Sequence, residues 1–501
     1  MSASSLSLRK LAIRYSHFFG AGVLSQLLGF LTFPILTRVL TIAEYGMLGL
    51  VTTTIFIAVA LAKAGLSDGI IRMYTGYAGT EEGRTVFAST IMIRGILLAI
   101  LTTILYALLV PTLVRFLDIE EGYLFAFLIM AAYLFIRPLN GIVLNVLKIR
   151  GKTIFLNSAM LVGRILSIGL SLLFLLFLVR EVYGFFIGVV IAEYLLAALL
   201  LFWFLREYRI RLRSVSGSLS LQLITFGAPL LLLELSYFLL TYANRYMIVL
   251  YNGDVALGIF SVGYNLAMYL SELITCSLSF SIVPLYVELY TREGRAKTEE
   301  FLNKVLHFVL IAAIPVCLGY AAVSHDFMVT VASHTYEEAA GFSPIILISS
   351  LLLGGVNSIL NAGLYLQKKT MTMLGIILVS LAVNIILNIV FLPIWGILGA
   401  AWATLISCAV AAGLTIVFSS PYITLSFTIR PILYYLVVSL IMYAVVASIQ
   451  TDIPWLNVLL KAGIGSLIMA AGVLIRERNP LETLKLFLST KETEHDYAEN
   501  S

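Results

Sequence analysis

The sequence predicts an all-α polytopic membrane protein with about fourteen transmembrane helices. Three observations predict it. The 501 residues are 60% hydrophobic and only 12% charged, where a soluble domain runs near 25% charged. Apolar runs follow one another from end to end, each close to the roughly 20 helical residues that a bilayer demands. Lysine and arginine gather in alternate joints between them, as they do on the cytoplasmic side of membrane proteins. The net charge of +5 therefore reads as topology, and no nucleic-acid partner is expected.

In order, the span cores are 15–36, 47–66, 86–110, 122–145, 154–178, 183–205, 221–243, 255–285, 301–322, 341–365, 371–392, 397–418, 430–449 and 456–475. Arg9, Lys10 and Arg14 precede the first. It is too long for a signal core and no small-residue cleavage site follows, so it reads as a span. The run 341–365 contains Gly354, Gly355, Asn357 and Asn361 and is the weakest by hydropathy. Without it, everything downstream would invert. With the N-terminus inside, the inner joints hold clusters such as Lys148, Arg150 and Lys152, Arg206, Arg209, Arg211 and Arg213, and, near the end, Arg476, Arg478, Lys485 and Lys491. The opposite joints hold only Arg38, Arg115, Arg180 and Arg245. That bias predicts an even span count with both termini in the cytoplasm. The longest outer joint, 323–340, carries His325, Asp326, His334, Glu337 and Glu338 and reads as a solvated loop. Beyond Arg476 the chain turns polar, and PLETLKLFL reads as a short amphipathic helix on the membrane surface. Cys276, Cys317 and Cys408 each sit in apolar runs, as small buried hydrophobes without disulfide or metal spacing.

The chain also repeats itself. NGIVLNVLKIRGKT from Asn140 lies without gaps on NSILNAGLYLQKKT from Asn357. Phe19-Gly20-Ala21 matches Phe226-Gly227-Ala228, and LTIAEYGMLGL resembles LYNGDVALGIF after a small shift. Six spans per unit is an even number, so the halves enter the membrane in the same sense, as parallel repeats about an axis along the membrane normal. This predicts a six-helix lobe over 1–213, a second over 214–420, two accessory helices within 421–478 and a cytoplasmic tail over 479–501.

Function is read from charges placed where they are expensive. Arg164 lies about ten residues inside the apolar stretch Asn157–Val179, and an arginine at mid-membrane costs at least about 2.5–3.5 kcal/mol. It must face protein or water. Lys63, Arg94 and Arg137 complete a basic group in the first half. Cations sharing a low-dielectric cavity repel one another unless an anion joins them, and the guanidinium fork suits phosphate oxygens. These four residues are candidates for a phosphate or pyrophosphate. The second half offers neutral polar stripes: Asn265, Asn357, Asn361, Asn384 and Asn388, with Arg245 near the outer mouth, suit sugar hydroxyls. Polar glue between helices accounts for such residues equally well. Glu193, Glu234 and Glu272 are candidates for ion coupling or for neutralising the cations. There is no nucleotide-binding loop, zinc spacing or nucleophile elbow, so neither a cofactor nor catalysis is expected, and transport would be driven by an ion gradient, which is the favoured expectation, by membrane potential or by downstream consumption of the product.

The stretch FPILTRVLTIAEYGMLGLVTTTIFIAVALAKAGLSDGIIRMY, residues 33–74, resembles the opening signature of bacterial polysaccharide repeat-unit flippases (Wzx-like). These belong to the multidrug, oligosaccharidyl-lipid and polysaccharide exporter superfamily. The matching positions are Arg38, Glu44-Tyr45-Gly46, Gly65-Leu66 and Arg72, and the second-half segments GAPLLLLELSYFLLTYANRYMIVLYNGDVALGIFSVGYNLA and NIILNIVFLPIWGILGAAWATLIS agree. The family often has Asp before the arginine that ends span seven; here the pair is Asn244-Arg245. The resemblance implies two six-helix lobes in a V, alternately open to each side of a bacterial inner membrane. It implies an undecaprenyl-pyrophosphate-linked oligosaccharide, moved to the outer leaflet for O-antigen, capsule or exopolysaccharide assembly. It also implies membrane lipid, a glycan polymerase and a chain-length regulator as partners. The rival expectations are a cation-coupled multidrug exporter of the same superfamily and a non-transporting scaffold.

Overall fold

The computed structural model describes residues 26–426 and 428–476. Arg9, Lys10, Arg14, the repeat segment at Phe19, the start of the first span, the side chain of Cys276, Arg478, Lys485, Lys491 and the amphipathic tail segment lie outside the described residues. Among those described, the secondary structure is helical throughout. The first half comprises α1 (Gln26–Val39), α2 (Ile42–Lys63), α3 (Leu66–Tyr77), α4 (Glu81–Phe116), α5 (Leu124–Ile149), α6 (Thr153–Leu173) and α7 (Val182–Glu207). A helical stretch, Gly217–Val331, is broken at Gly253 (φ 82°) and Gly294 (φ 81°) into α8 (217–252), α9 (254–293) and α10 (295–331). Next, α11 (Ser343–Gly355) passes through a wide turn at Val356–Leu360. Thr370–Ser419 breaks at Gly396 (φ 57°) into α12 (370–395) and α13 (397–419). The chain continues through α14 (Ile429–Ala447) and α15 (Pro454–Arg476). Glycine occupies the three breaks because backbone at these positive φ values is nearly closed to residues that carry a Cβ.

Each described span core falls on a helix, including 341–365, whose two glycines are helical. The joint 323–340 differs from expectation. Helix α10 continues to Val331, and only His334–Gly341 forms a short 3₁₀ turn. Asp326 therefore lies in a helix, and its charge, which suggested a loop, is met by Lys461 at 2.6 Å.

The described chain forms two compact units: one of residues up to Leu302 with Val331–Leu425, the other of Asn303–Thr330 with the chain from Ser426. In the first, α6 packs on α7, and α5 on α4 and α7. A continuous core of Ile70, Phe87, Ile91, Ile142, Leu147, Leu200 and Phe204 also takes in Leu219 and Leu223 of α8. Lipid tails are as apolar as leucine, so association rests on close packing rather than on expelling water. Gly188 of α7 accordingly lies against the Ser171 backbone of α6. Helices α2 and α9 approach reciprocally: a Cβ on Gly46 would meet the Asp254 carbonyl at 2.8 Å, and one on Gly258 would meet the Ile42 carbonyl. Each glycine faces the carbonyl four residues before the other.

In the second unit α14 packs on α15. Lys461 and Asp326, with side chains 7% and 13% exposed, join α15 to α10. Asn457 donates to Asp326 (3.1 Å), and Lys461 also reaches the Ala322 carbonyl (3.4 Å).

Candidate functional site

The site is built on α2. Its start is set by a capping box: the Glu44 N–H donates to Thr41 Oγ1 (3.2 Å), and the Thr41 N–H donates to Glu44 Oε2 (2.8 Å). That fixes the helix phase, so Tyr45 and Gly46 turn toward α9, where the Asn265 amide donates to the Tyr45 hydroxyl at 3.1 Å. One turn on, Arg245 of α8 donates through Nη1 to the Gly49 carbonyl (2.8 Å) and Thr53 Oγ1 (2.9 Å), and through Nη2 to Asn265 (3.1 Å). Tyr242 and Tyr264 present their rings at 5.2 and 5.4 Å. Arg245 is 5% exposed, and its Nε and the nearby Ser261 hydroxyl make no hydrogen bond among the described residues. It is a buried cation answered by dipoles and aromatic faces.

The four basic candidates of the first half divide into two kinds. Lys63, at the end of α2, pairs with Glu234 of α8 at 3.2 Å, both side chains about one-third exposed (31% and 35%). Arg137 pairs with Glu193 at 3.1 Å, and Asn140 secures the same carboxylate at 2.8 Å. Arg94 and Arg164 have no carboxylate within ion-pair distance among the described residues. Arg94 donates instead to the Ser220 hydroxyl (3.0 Å) and borders a cavity of about 140 Å³ with Leu66, Leu97, Leu98, Leu101 and Ile224. Arg164 is exposed. A Cβ on Gly29 of α1 would stand 2.9 Å from its Nη2 and 3.3 Å from the Tyr269 ring of α9, so glycine leaves the guanidinium its place. Glu272 of α9 accepts from Gln26 of α1 and feels the charge of Arg164.

The neutral candidates are dispersed. Asn388 donates to Asn244 (2.8 Å) and to the Asn384 carbonyl (2.8 Å), Asn244 to Thr404 (2.6 Å), and Asn384 to Ser407 (3.1 Å). These side chains come from α8, α12 and α13, and they form one buried network. Asn361 lies near the Tyr237 hydroxyl (3.5 Å) and is buried, whereas Asn357, in the wide turn, is exposed. Ser171, two turns beyond Arg164 on α6, is buried against Gly188. At the ends of α5 and α7, Arg150 holds Glu207 (2.7 Å) and Tyr208 (3.2 Å). Burial, reinforced by the Tyr74 hydroxyl, pushes the Tyr208 phenol up to about 12. No cluster of three metal-ligating side chains occurs among the described residues.

Sequence reasoning missed Gln26, Gly29, Ser220, Tyr269 and the Lys461–Asp326 pair. Lys461 carried a usable signal, since it lies inside an apolar run just as Arg164 does. The others are ordinary residues that only packing makes significant.

Helices of this length and apolarity define a multi-pass membrane protein. The fold is similar to that of the lipid II flippase MurJ in an inward closed conformation, with a TM-score of 0.76 at 17% identity over 93% of this chain and 99% of that one. It is also similar to an inward-facing multidrug resistance MATE family transporter of the MOP superfamily (0.62, 15% identity, 79% and 97% covered). A mutant of the Vibrio cholerae MATE transporter VcmN matches comparably (0.62, 16% identity, 84% and 98% covered). No protein of curated function matches the chain in sequence. Residues 16–290, more than half of the chain, match the polysaccharide biosynthesis protein family, and the chain belongs to that family.

Proposed function

We propose that the protein flips an undecaprenyl-pyrophosphate-linked oligosaccharide from the cytoplasmic to the outer leaflet of a bacterial inner membrane. It does so by alternating access between a lobe over 1–213 and a lobe over 214–420. The two helices within 421–478 are accessory, and both termini are cytoplasmic. One observation carries the reading: of the four basic candidates deep in the apolar runs of the first half, Lys63 and Arg137 hold carboxylates, while Arg94 and Arg164 hold none among the described residues. A cation kept at membrane depth without its own counter-ion is stabilised by an anion that arrives. Arg164 and Arg94 would bind the head-group phosphates, with Lys63 and Arg137 behind them. The asparagines of the second half would meet sugar hydroxyls once the lobes part, and the glycan polymerase and chain-length regulator would receive the product.

Arg164→Ala is expected to abolish surface glycan at unchanged protein level, and Arg164→Lys to restore it only in part, because a point charge cannot grip two oxygens. Normal surface glycan in a stably expressed Arg164→Ala strain would remove the assigned role. Deletion that accumulates lipid-linked glycan supports the flippase. Drug sensitivity with unaltered glycan would instead identify an exporter.

A further inference from the structure

The chain between α7 and α8, residues 208–216, joins the two proposed lobes and is two-sided. Its backbone is extended at Tyr208 and Arg211, so successive side chains point opposite ways. Tyr208 and Ile210 pack into the core beneath, which turns Arg209 and Arg211 outward. The Arg211 N–H donates to Ser89 Oγ (2.9 Å) and the Ser216 N–H to Thr90 Oγ1 (3.0 Å), both on α4. Between these two pins Leu212 stands outward, 79% exposed, flanked by Arg211 and Arg213. The start of α6 adds Ile154, 81% exposed, close to Lys152, which Glu207 (4.0 Å) and the Trp203 ring (5.1 Å) draw to the same corner. Counter-charge is scarce there. Glu207 is held by Arg150, Arg209 meets Glu81 at 3.8 Å with both side chains well exposed, and Arg211 and Arg213 make no ion pair among the described residues.

Depth decides what this corner meets. Exposed apolar side chains line α4 from Leu97 to Phe116, a rise of about 29 Å that matches the roughly 30 Å hydrocarbon core of a bilayer. Ser89 and Thr90 precede Leu97 by about two helical turns. The linker they hold therefore runs along the outer edge of the headgroups, and long arginine stems reach into them. We propose that residues 208–216, with the start of α6, form a docking surface for anionic phospholipid headgroups of the cytoplasmic leaflet. The arginines meet the lipid phosphates, and Leu212 and Ile154 enter the boundary with the acyl chains. The choice of leaflet rests on the topology proposed above; the lipid contact itself does not depend on what is transported. A lone exposed leucine is ordinary on a protein surface. Here two large apolar side chains stand among cations at headgroup level, which is the composition of an interfacial anchor.

The test uses the purified full chain in uncharged detergent micelles, titrated with phosphatidylglycerol or, as the zwitterionic control, phosphatidylcholine. Cys276, Cys317 and Cys408 are changed to alanine, and Leu212→Cys carries an environment-sensitive fluorophore. Phosphatidylglycerol should shift the emission to the blue at a low mole fraction, and phosphatidylcholine only at a much higher one. Arg209→Gln, Arg211→Gln and Arg213→Gln should each raise the phosphatidylglycerol half-point about five-fold, the contribution of one cation near an anionic surface. Arg211→Lys should keep it, because the surface reads charge rather than fork geometry. Salt at about 0.5 M should raise it too, since exposed charges are screened. An equal response to the two lipids, or glutamine variants that titrate like the parent, overturns the inference. Either result leaves the flippase reading standing, because none of these arginines is assigned to the substrate. If the cysteine-free chain does not fold, the thermal midpoint of the chain with its own cysteines decides instead. It should rise with phosphatidylglycerol and not with phosphatidylcholine, and the rise should vanish in the triple Arg→Gln variant; a rise that survives there overturns the inference.

Discussion

The pair between Lys461 and Asp326 lends itself to a quantitative test, because both partners lie in one compact unit. At 2.6 Å and with side chains only 7% and 13% exposed, the pair is outside the regime of surface ion pairs, which contribute about 0–1 kcal/mol. Removing one partner of a buried pair costs roughly 3–5 kcal/mol, because the other charge is left uncompensated. Lys461→Met should fall at the lower end, about 3 kcal/mol, since Asn457 still donates to the stranded carboxylate. Asp326→Asn should cost less, about 2 kcal/mol, because the flexible lysine stem can swing its ammonium toward water while a short carboxylate cannot. The double variant strands no charge, so it should cost about 1–2 kcal/mol and show a favourable coupling of about 3 kcal/mol in a double-mutant cycle. The assay is equilibrium unfolding of the purified chain in mixed micelles, with each variant measured alongside wild type. Additive single effects, or singles below about 1 kcal/mol, would refute the reasoning. The ion pair would then be a surface-like contact despite its burial.

Two further perturbations follow from the geometry. Glu299, at the start of α10 and ahead of the span core 301–322, is pulled two ways: burial raises its pKa, but the Thr424 N–H (2.8 Å) and Arg295 (2.7 Å) outweigh that and hold it below the usual 4.5. A carboxylate with a depressed folded pKa contributes stability that is present above its unfolded pKa and is lost as pH falls through the folded one. Unfolding followed downward from pH 4.5 should therefore show an acid-sensitive component that Glu299→Gln removes; identical pH profiles would contradict it. At the α2–α8 seam, a Cβ on Gly227 would run into the Gly65 backbone, and the reverse substitution meets the Gly227 backbone with φ at 70° as well. Both alanine variants should lower stability in the same micelle assay, with Gly65→Ala worse by about 1–2 kcal/mol for its left-handed backbone. Equal effects would mean that the steric contact alone decides.

The helices and their order were determined by the chain's own composition, because a bilayer admits only segments whose backbone bonds are satisfied internally and whose side chains are apolar over about 20 residues. The family was legible too, through Arg38, Glu44-Tyr45-Gly46 and Gly65. What those motif residues do was not. Arg38 donates to the Val331 carbonyl, almost three hundred positions away, and Gly46 matters because the Asp254 carbonyl comes within reach. Arg245 sits at a predicted outer mouth, yet the structure buries it among Gly49, Thr53 and Asn265. Likewise, four charges of one sign in the first half looked alike by spacing. Only tertiary packing separated Arg137 and Lys63, which have their carboxylates, from Arg94 and Arg164, which have none among the described residues. The reason is physical: the cost of a charge in a membrane can be read from its own position, but its compensation comes from a partner that contact brings near, and sequence distance carries no trace of that contact.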